Sequence, residues 1–133
     1  MILYGRKVKG GTAEGETLVS TEPVSFYGGV DPISGCIIEP GHCCCGENIS
    51  GKVFVFPTGK GSTVGSYVIY RMKKLGTAPV AIINVETEAI LATGCVISDI
   101  PLVDKLDQDP IEVIKNGMYV RVNADEGLVE IVE

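Results

Sequence analysis

Residues 52–84, KVFVFPTGKGSTVGSYVIYRMKKLGTAPVAIIN, decide the fold. The stretch opens with β-branched and aromatic residues at 52–56, a pattern typical of a buried strand, and Pro57 ends it. A helical period follows over 62–75, and apolar residues at 79–84 indicate a second strand that is covered on both faces. Strand, helix and strand in this order predict a βαβ unit with two parallel strands.

The rest of the chain predicts further strands and helices around this unit. A second helix is expected to begin near Thr87, and the Asp-Pro-Ile-Glu pattern at 109–112 is typical of the start of a short helix. Residues 118–122 and 128–132 flank a turn and predict a hairpin. The 133 residues therefore predict one α/β domain, with further strands expected at 2–4, 17–20, 24–27 and 100–103.

The composition indicates a folded, acidic protein. Hydrophobic residues make up 45% of the chain, and 17 acidic against 11 basic residues give a net charge of −6. This charge argues against binding to nucleic acid or to an anionic membrane. No apolar run approaches the roughly 20 residues that cross a bilayer, and the first nine residues lack the apolar core of a secretory signal, so a cytoplasmic location is expected.

The charges are segregated along the chain. At the overall frequency, a 38-residue window should contain about five acidic residues. Residues 48–85 contain none, which suggests a surface that suits an anion. Arg71, Lys73 and Lys74 fit the solvated face of an ordinary helix, whereas Lys60 falls in a glycine-rich turn. The basic residues of this window are Lys52, Lys60, Arg71, Lys73 and Lys74.

The turn at 57–66 is the sharpest chemical feature. Free backbone N–H groups at a helix N-terminus bind anions, and Gly59 and Gly61 allow a ligand to approach the backbone closely. The turn also follows the carboxyl end of a strand, where open α/β sheets bind ligands. A nucleotide site is disfavoured, because Lys60 is not followed by Ser or Thr and Val64 stands where a dinucleotide fingerprint needs its third glycine.

Ser62 is expected to be the N-cap or a first-turn residue of the helix, the commonest role of a serine there. A helix terminus supplies at most ~2 kcal/mol, roughly 1.5 pKa units, which does not make a serine a base near neutral pH. If Ser62 is a catalytic base, other groups must assist it, and we expect an active site shared with another polypeptide.

The five cysteines do not form a disulfide framework, because their number is odd and three are consecutive. Adjacent cysteines also lack the C-x-x-C spacing of zinc and cluster sites. Small loop residues are the favoured interpretation of 43–45, and no metal site is predicted. His42 directly before them leaves a metal site as the alternative.

Four separated motifs resemble the small subunits of the aconitase X type. The resemblance covers roughly residues 5–104. It implies the swivelling β/β/α fold of the aconitase mobile domain, here a short parallel sheet with a βαβ crossover and additional strands in a barrel-like layer. The motifs are GGVDPISG at 28–35, PTGKGSTVGSY at 57–67, AIIN at 81–84 and IPLVD at 100–104.

The resemblance also implies a two-subunit hydro-lyase of the archaeal mevalonate pathway, which dehydrates (R)-5-phosphomevalonate to trans-anhydromevalonate 5-phosphate. The partner is a larger subunit that carries an iron–sulfur cluster, whose iron acts as Lewis acid on the departing hydroxyl. The family's serine base falls on Ser62, which would take the proton from the carbon next to the substrate carboxylate. Lys60, Gly61, Thr63 and Ser66 would hold the carboxylate, the phosphate or the serine alkoxide.

Asp31 and Ser34 complete the candidate substrate-binding residues. They could line the same cleft or form an Asx-type turn at Asp31-Pro32, and both interpretations stay open. The chain lacks the arginine that ordinary aconitases and isopropylmalate isomerases carry after the serine, which argues against those two activities. Three alternatives to the implied activity remain: dehydration of another hydroxy acid, dehydration of a hydroxyproline, and a non-catalytic regulatory subunit that binds an anion at 60–66.

Overall fold

The structure is a computed structural model that describes residues 1–132. Eight strands and four helices follow one another along the chain. In order they are β1 (Ile2–Tyr4), β2 (Arg6–Lys9), β3 (Thr12–Val19), α1 (Phe26–Gly29), β4 (Val53–Phe56), α2 (Gly65–Leu75), β5 (Ala81–Asn84), α3 (Ala89–Ser98), β6 (Leu102–Asp104), α4 (Pro110–Val113), β7 (Tyr119–Asn123) and β8 (Leu128–Val132).

All eight strands belong to one sheet, in the order β1-β8-β7-β3-β4-β5-β6-β2. Strands β3, β4, β5 and β6 are parallel, and the remaining pairs are antiparallel. The predicted βαβ unit is confirmed as β4-α2-β5, and β5-α3-β6 repeats it. Because the four parallel strands point the same way, their carboxyl ends lie at one edge of the sheet.

The two faces of the parallel strands support separate cores. Along β4, Phe54 and Phe56 pack in the cluster that also holds Ile69 of α2 and Leu91 of α3. Val53 and Val55, which point to the opposite face, belong to a second cluster that is built from the sheet itself and α4. This alternation follows from the two-residue period of a strand. The sheet thus has α2 and α3 on one face, whereas α4 and the antiparallel strands pack towards the other.

The two outer strands of the sheet are consecutive in the chain. β1 pairs with β8 and β2 pairs with β6, and Gly5 alone joins them. The Gly5 N–H donates to the Gly127 carbonyl at 2.7 Å. Within residues 1–132 no ladder pairs β1 with β2, so the barrel-like layer stays a prediction.

The first fifty residues differ most from the sequence-based expectation. The strand expected at 24–27 is wrong: Val24 forms a single bridge to Gly59, and a short kinked helical turn follows. Gly28, with φ +83°, breaks the extended path. The charged strand at 6–9 was not predicted. Among the described residues no helix is long and apolar enough to cross a membrane.

Candidate functional site

The glycine-rich turn is held to the sheet edge by the segment before α1. The Val24 N–H donates to the Thr58 carbonyl at 3.1 Å, and the Lys60 N–H donates to the Val24 carbonyl at 3.0 Å. The chain therefore continues past β4 in an extended path for a few residues. It then reverses at Gly61, whose φ of +97° is disfavoured for residues with a side chain.

Ser62 lies at the start of the turn that leads into α2. The helix begins at Gly65, three residues later than predicted. The Ser62 hydroxyl nevertheless accepts the Val64 N–H at 3.1 Å, as an N-cap side chain does, and the Ser62 carbonyl accepts the Gly65 N–H at 2.9 Å. Ser62 is exposed. Its oxygen thus combines a backbone donor with access from outside the molecule.

Three consecutive backbone N–H groups next to this hydroxyl are unused. The N–H groups of Gly61, Ser62 and Thr63 donate to no acceptor within residues 1–132. The first turn of α2 also contains no acidic side chain. These N–H groups directly precede the helix, whose own first amides, at residues 65–67, donate to the carbonyls of residues 62–64. Unpaired N–H groups near the positive end of a helix attract negative charge. The turn can therefore bind a carboxylate, a phosphate or an alkoxide.

Lys60 extends from the turn and forms an ion pair with Glu39, with 3.2 Å between Nζ and Oε2. The lysine side chain is 48% exposed. Exposed ion pairs of this kind are worth only about 0–1 kcal/mol, so an anionic ligand can compete for the lysine. Lys60 is positioned to add a mobile positive charge to the turn.

Thr63 and Ser66 occupy different environments. Thr63 is exposed beside Ser62, whereas Ser66 is buried and its hydroxyl donates to the Thr63 carbonyl at 3.0 Å. The Ser66 side chain therefore fixes the shape of the turn. Its oxygen retains acceptor capacity but faces the protein backbone.

The structure does not bring Asp31 and Ser34 to the Ser62 turn. The Asp31 carboxylate accepts the Ile33 N–H at 3.0 Å and the Ser34 hydroxyl at 2.9 Å, and these two hydrogen bonds form the Asx-type turn, one of the two interpretations of the sequence. These hydrogen bonds lower the pKa of Asp31. The adjacent Pro32 carbonyl accepts the hydroxyl of Thr77, beyond the C-terminal end of α2. The 11 residues of α2 span about 16 Å, and Asp31 and Ser34 lie near the end of this helix that is opposite to Ser62.

Glu88 lies beside the turn and was missed by the sequence analysis. It is the N-cap of α3, and its carboxylate accepts the N–H groups of Ile90 and Leu91 at 2.9 and 2.6 Å. A Cβ at Gly59 would lie 2.7 Å from a carboxylate oxygen of Glu88, so any larger residue there would have to displace this carboxylate. Glutamate is not a favoured N-cap, which is why the sequence gives little signal. Because Glu88 accepts the N–H groups at the start of α3, these groups are not available to a ligand. The N–H groups before α2 are therefore the candidate anion site.

A polar network lies at the same sheet edge, after β6. Asp104 is buried and accepts two hydrogen bonds from Arg6, at 2.9 and 2.8 Å, and one from the Thr87 N–H at 2.8 Å. Burial raises the pKa of Asp104, but the Arg6 and Thr87 hydrogen bonds outweigh it and the pKa is lowered. This network fixes the loop that leads into α3.

The three consecutive cysteines lie in a loop, as predicted, but they do not behave alike. Cys44 is buried, whereas Cys43 and Cys45 are exposed. Burial raises the pKa of the Cys44 thiol to about 12. Burial also acts to raise the pKa of Cys43, but hydrogen bonds from Ser20 and Thr21 outweigh it and lower the value to about 7.

Known proteins share the sequence and the fold of this chain over its whole length. Residues 2–131 match the aconitase X swivel domain. The phosphomevalonate dehydratase small subunit of Methanosarcina acetivorans is 56% identical over 131 residues, which cover 98% of this chain and 91% of the relative. The small subunit of the same name from Thermococcus kodakarensis is 56% identical and covers 100% of this chain and 98% of its own. A crystal structure of Thermococcus kodakaraensis aconitase X, holo-form, superposes with a TM-score of 0.95, 56% identity and coverage of 100% and 99%.

Proposed function

Because this chain belongs to the aconitase X swivel-domain family, we propose that it is the small subunit of a phosphomevalonate dehydratase and supplies the base of the reaction. The family agrees with the resemblance drawn from the four sequence motifs, and the swivel-domain fold is confirmed. The reaction is the elimination of water from (R)-5-phosphomevalonate to trans-anhydromevalonate 5-phosphate. A carbon–hydrogen bond and a carbon–oxygen bond break, so the enzyme must provide a proton acceptor.

One observation carries the assignment of the base: the Ser62 hydroxyl is exposed beside three unused backbone N–H groups. The Val64 N–H already donates to the Ser62 oxygen and would stabilise an alkoxide there. The free N–H groups of residues 61–63 can hold the substrate carboxylate, and this brings the adjacent carbon to the hydroxyl. Lys60 can add its positive charge to the binding of the same anion, because its ion pair with Glu39 is weak.

Ser62 cannot act alone. A helix N-terminus contributes at most ~2 kcal/mol, which is too little to lower the pKa of a serine to the neutral range. Further positive charge must therefore come from a partner when the site closes. We propose that the complex, and not this chain by itself, is the active lyase.

The described residues of this chain do not bring together the thiols that a common iron–sulfur cluster needs. In the part of the chain that the structure describes, no three thiols converge, because the one group of potential ligands combines two cysteines with His42. Iron–sulfur clusters are held mainly by cysteine thiolates, four in the common types. The cluster is therefore proposed to belong to the larger subunit, and Ser62, Lys60 and the turn amides are the contribution of this chain.

The surface around Ser62 suits a protein partner. Val64 and Tyr67, on either side of the first turn of α2, are exposed large hydrophobic residues, and Tyr67 is 69% exposed. Tyr27, also exposed, lies next to them, since its backbone nitrogen is 3.9 Å from the position of a Cβ on Gly65. Apolar residues around a functional turn are typical of interaction sites. We propose that the larger subunit covers this surface and closes the site.

The test is the activity of Ser62→Ala in the complex reconstituted with the larger subunit. Loss of dehydration with unchanged assembly, measured by size-exclusion chromatography, supports Ser62 as the base. Thr93→Ala is the matched control, because Thr93 is an exposed hydroxyl residue on α3 whose oxygen donates to the Ala89 carbonyl, away from the turn. A fully active Ser62→Ala complex would exclude the assignment.

The same experiment separates the alternatives. A regulatory subunit that binds an anion at 60–66 requires full turnover in Ser62→Ala, together with anion binding by this chain alone. If the substrate is a different hydroxy acid or a hydroxyproline, the complex should dehydrate that compound and not phosphomevalonate, and Ser62→Ala should abolish this other reaction. Assay of the reconstituted complex with each of these substrates decides between them.

A further inference from the structure

The loop that precedes β4 brings three potential metal ligands together at the carboxyl edge of the sheet. The Sγ atoms of Cys43 and Cys44 and a ring nitrogen of His42 all lie within 4.8 Å of one another. Adjacent cysteines normally diverge, so this convergence is specific to the local fold. We propose that His42, Cys43 and Cys44 bind one thiophilic d10 metal ion of the Zn²⁺ type.

The distances between the ligand atoms match those of a tetrahedral zinc site. With Zn–S bonds of about 2.3 Å, two sulfur ligands of a tetrahedral ion lie about 3.8 Å apart. The Cys43 and Cys44 Sγ atoms are 3.8 Å apart. A sulfur and an imidazole nitrogen should be about 3.6 Å apart, and the Cys43 Sγ to His42 Nδ1 distance is 3.9 Å. The third distance, between the Cys44 Sγ and the ring nitrogen of His42, is within 4.8 Å.

His42 is in the form that a metal ligand requires. Its Nδ1 accepts the Cys44 N–H at 3.0 Å, so Nδ1 carries a lone pair and the proton resides on Nε2. That Nε2–H donates to the Pro23 carbonyl at 3.1 Å, which fixes the ring orientation. A backbone carbonyl that holds the other ring nitrogen is the usual support of a metal-bound histidine. Metal binding would replace the Cys44 N–H at Nδ1.

The surroundings of the two thiols provide support and an entry path. Both thiols would release their protons to solvent when the ion binds. Thr21 Oγ1 donates to the Cys43 sulfur at 3.7 Å and would stabilise a thiolate there, whereas the Cys44 S–H donates to the Val19 carbonyl at 3.5 Å and metal binding would replace this hydrogen bond. Cys43 is exposed, so an ion can reach the site from solvent. Three ligands leave the fourth tetrahedral position to water.

The site is linked to the Ser62 turn through the same loop. The His42 N–H donates to the carbonyl of Glu39, the residue whose carboxylate pairs with Lys60. A bound ion would therefore order the loop that carries Glu39.

The reduced full-length chain should be titrated with Zn²⁺ in competition with a chromophoric chelator, and with Co²⁺, whose thiolate charge-transfer absorption reports sulfur ligands. One equivalent should bind, and X-ray absorption of the zinc form should show two sulfurs at about 2.3 Å and a nitrogen at about 2.0–2.1 Å. Cys43→Ser should weaken binding at least about 100-fold, since it removes a ligand and not an outer-shell partner.

Cys45→Ser is the matched control, because Cys45 is an adjacent exposed thiol outside the group and its loss should leave the affinity unchanged. The absorption measurement needs no variant, so the proposal stays testable if Cys43→Ser does not fold. Absence of stoichiometric binding, coordination without sulfur, or an equal loss in Cys45→Ser would overturn it.

Discussion

Replacement of Gly61 by alanine should destabilise the turn that carries Ser62 by two separable effects. The first is conformational, because a φ of +97° is unfavourable for any residue with a Cβ and costs about 1–2 kcal/mol. The second is steric, because the new Cβ would lie 2.6 Å from the Ser25 hydroxyl oxygen. That hydroxyl donates to the Tyr27 carbonyl at 2.9 Å, and rotating it away would lose a hydrogen bond worth about 0.5–1.5 kcal/mol.

The two effects together predict a loss of roughly 1.5–3.5 kcal/mol in the free energy of unfolding of Gly61→Ala. Chemical denaturation of the full-length chain, followed by circular dichroism, measures this quantity. Gly76→Ala is the matched control: Gly76 has φ +78°, but nothing lies within 4 Å of its added Cβ. It should therefore show the conformational cost alone, about 1–2 kcal/mol.

A double-mutant cycle with Ser25→Ala isolates the steric effect. Removal of the Ser25 hydroxyl leaves only its Cβ, 3.4 Å from the new methyl group, which is an ordinary contact. In this background Gly61→Ala should cost about as much as Gly76→Ala, so the coupling energy should be about 0.5–1.5 kcal/mol. The reasoning is refuted if Gly61→Ala is no more destabilising than Gly76→Ala, or if Ser25→Ala does not relieve it.

Two further predictions concern the packing and the charges around the site. Gly94→Ala should lower stability by up to about 2 kcal/mol, because an overpacking cost of about 1–3 kcal/mol is offset by a gain of ~1 kcal/mol in helix propensity. The new Cβ would lie 2.7 Å from Ile69 Cδ1 and 3.3 Å from the Ser66 Cα. Thr93→Ala should not destabilise, and equal melting temperatures for the two variants would contradict this expectation. Asp104→Asn should lower the melting temperature at pH 7. Since the folded pKa of Asp104 is lowered, its stabilisation is present above the unfolded value of about 3.9 and is lost as the pH falls through the folded value. The difference from wild type should therefore shrink in melting curves below pH 4, and a constant difference down to pH 2.5 would refute the assignment.

The sequence predicted the elements whose signals are local. The parallel unit β4-α2-β5 follows from apolar runs, one helical period and glycine and proline at its boundaries. β2 was missed because Arg6-Lys-Val-Lys9 has the charges of an exposed edge, and its partner β6 is almost a hundred residues away. Strand pairing at that separation leaves no mark in a short window of sequence.

The candidate site was predictable where one segment carries it. Residues 60–66 form a continuous turn, so the structure brings these candidates together. Asp31 and Ser34 belong to a different segment. Only the folded structure shows that this segment lies near the C-terminal end of α2, whereas Ser62 precedes the N-terminal end. Glu88 was missed for the same reason, since its proximity to Gly59 depends on the packing of two loops.

The single-residue link at Gly5 gives the first nine residues a role in solubility. By pairing with β8 and β6 they cover both open borders of the sheet at once, and uncovered strand borders are templates for intermolecular pairing. Removal of this short segment would expose the unpaired edges of β8 and β6 and should promote aggregation through strand pairing.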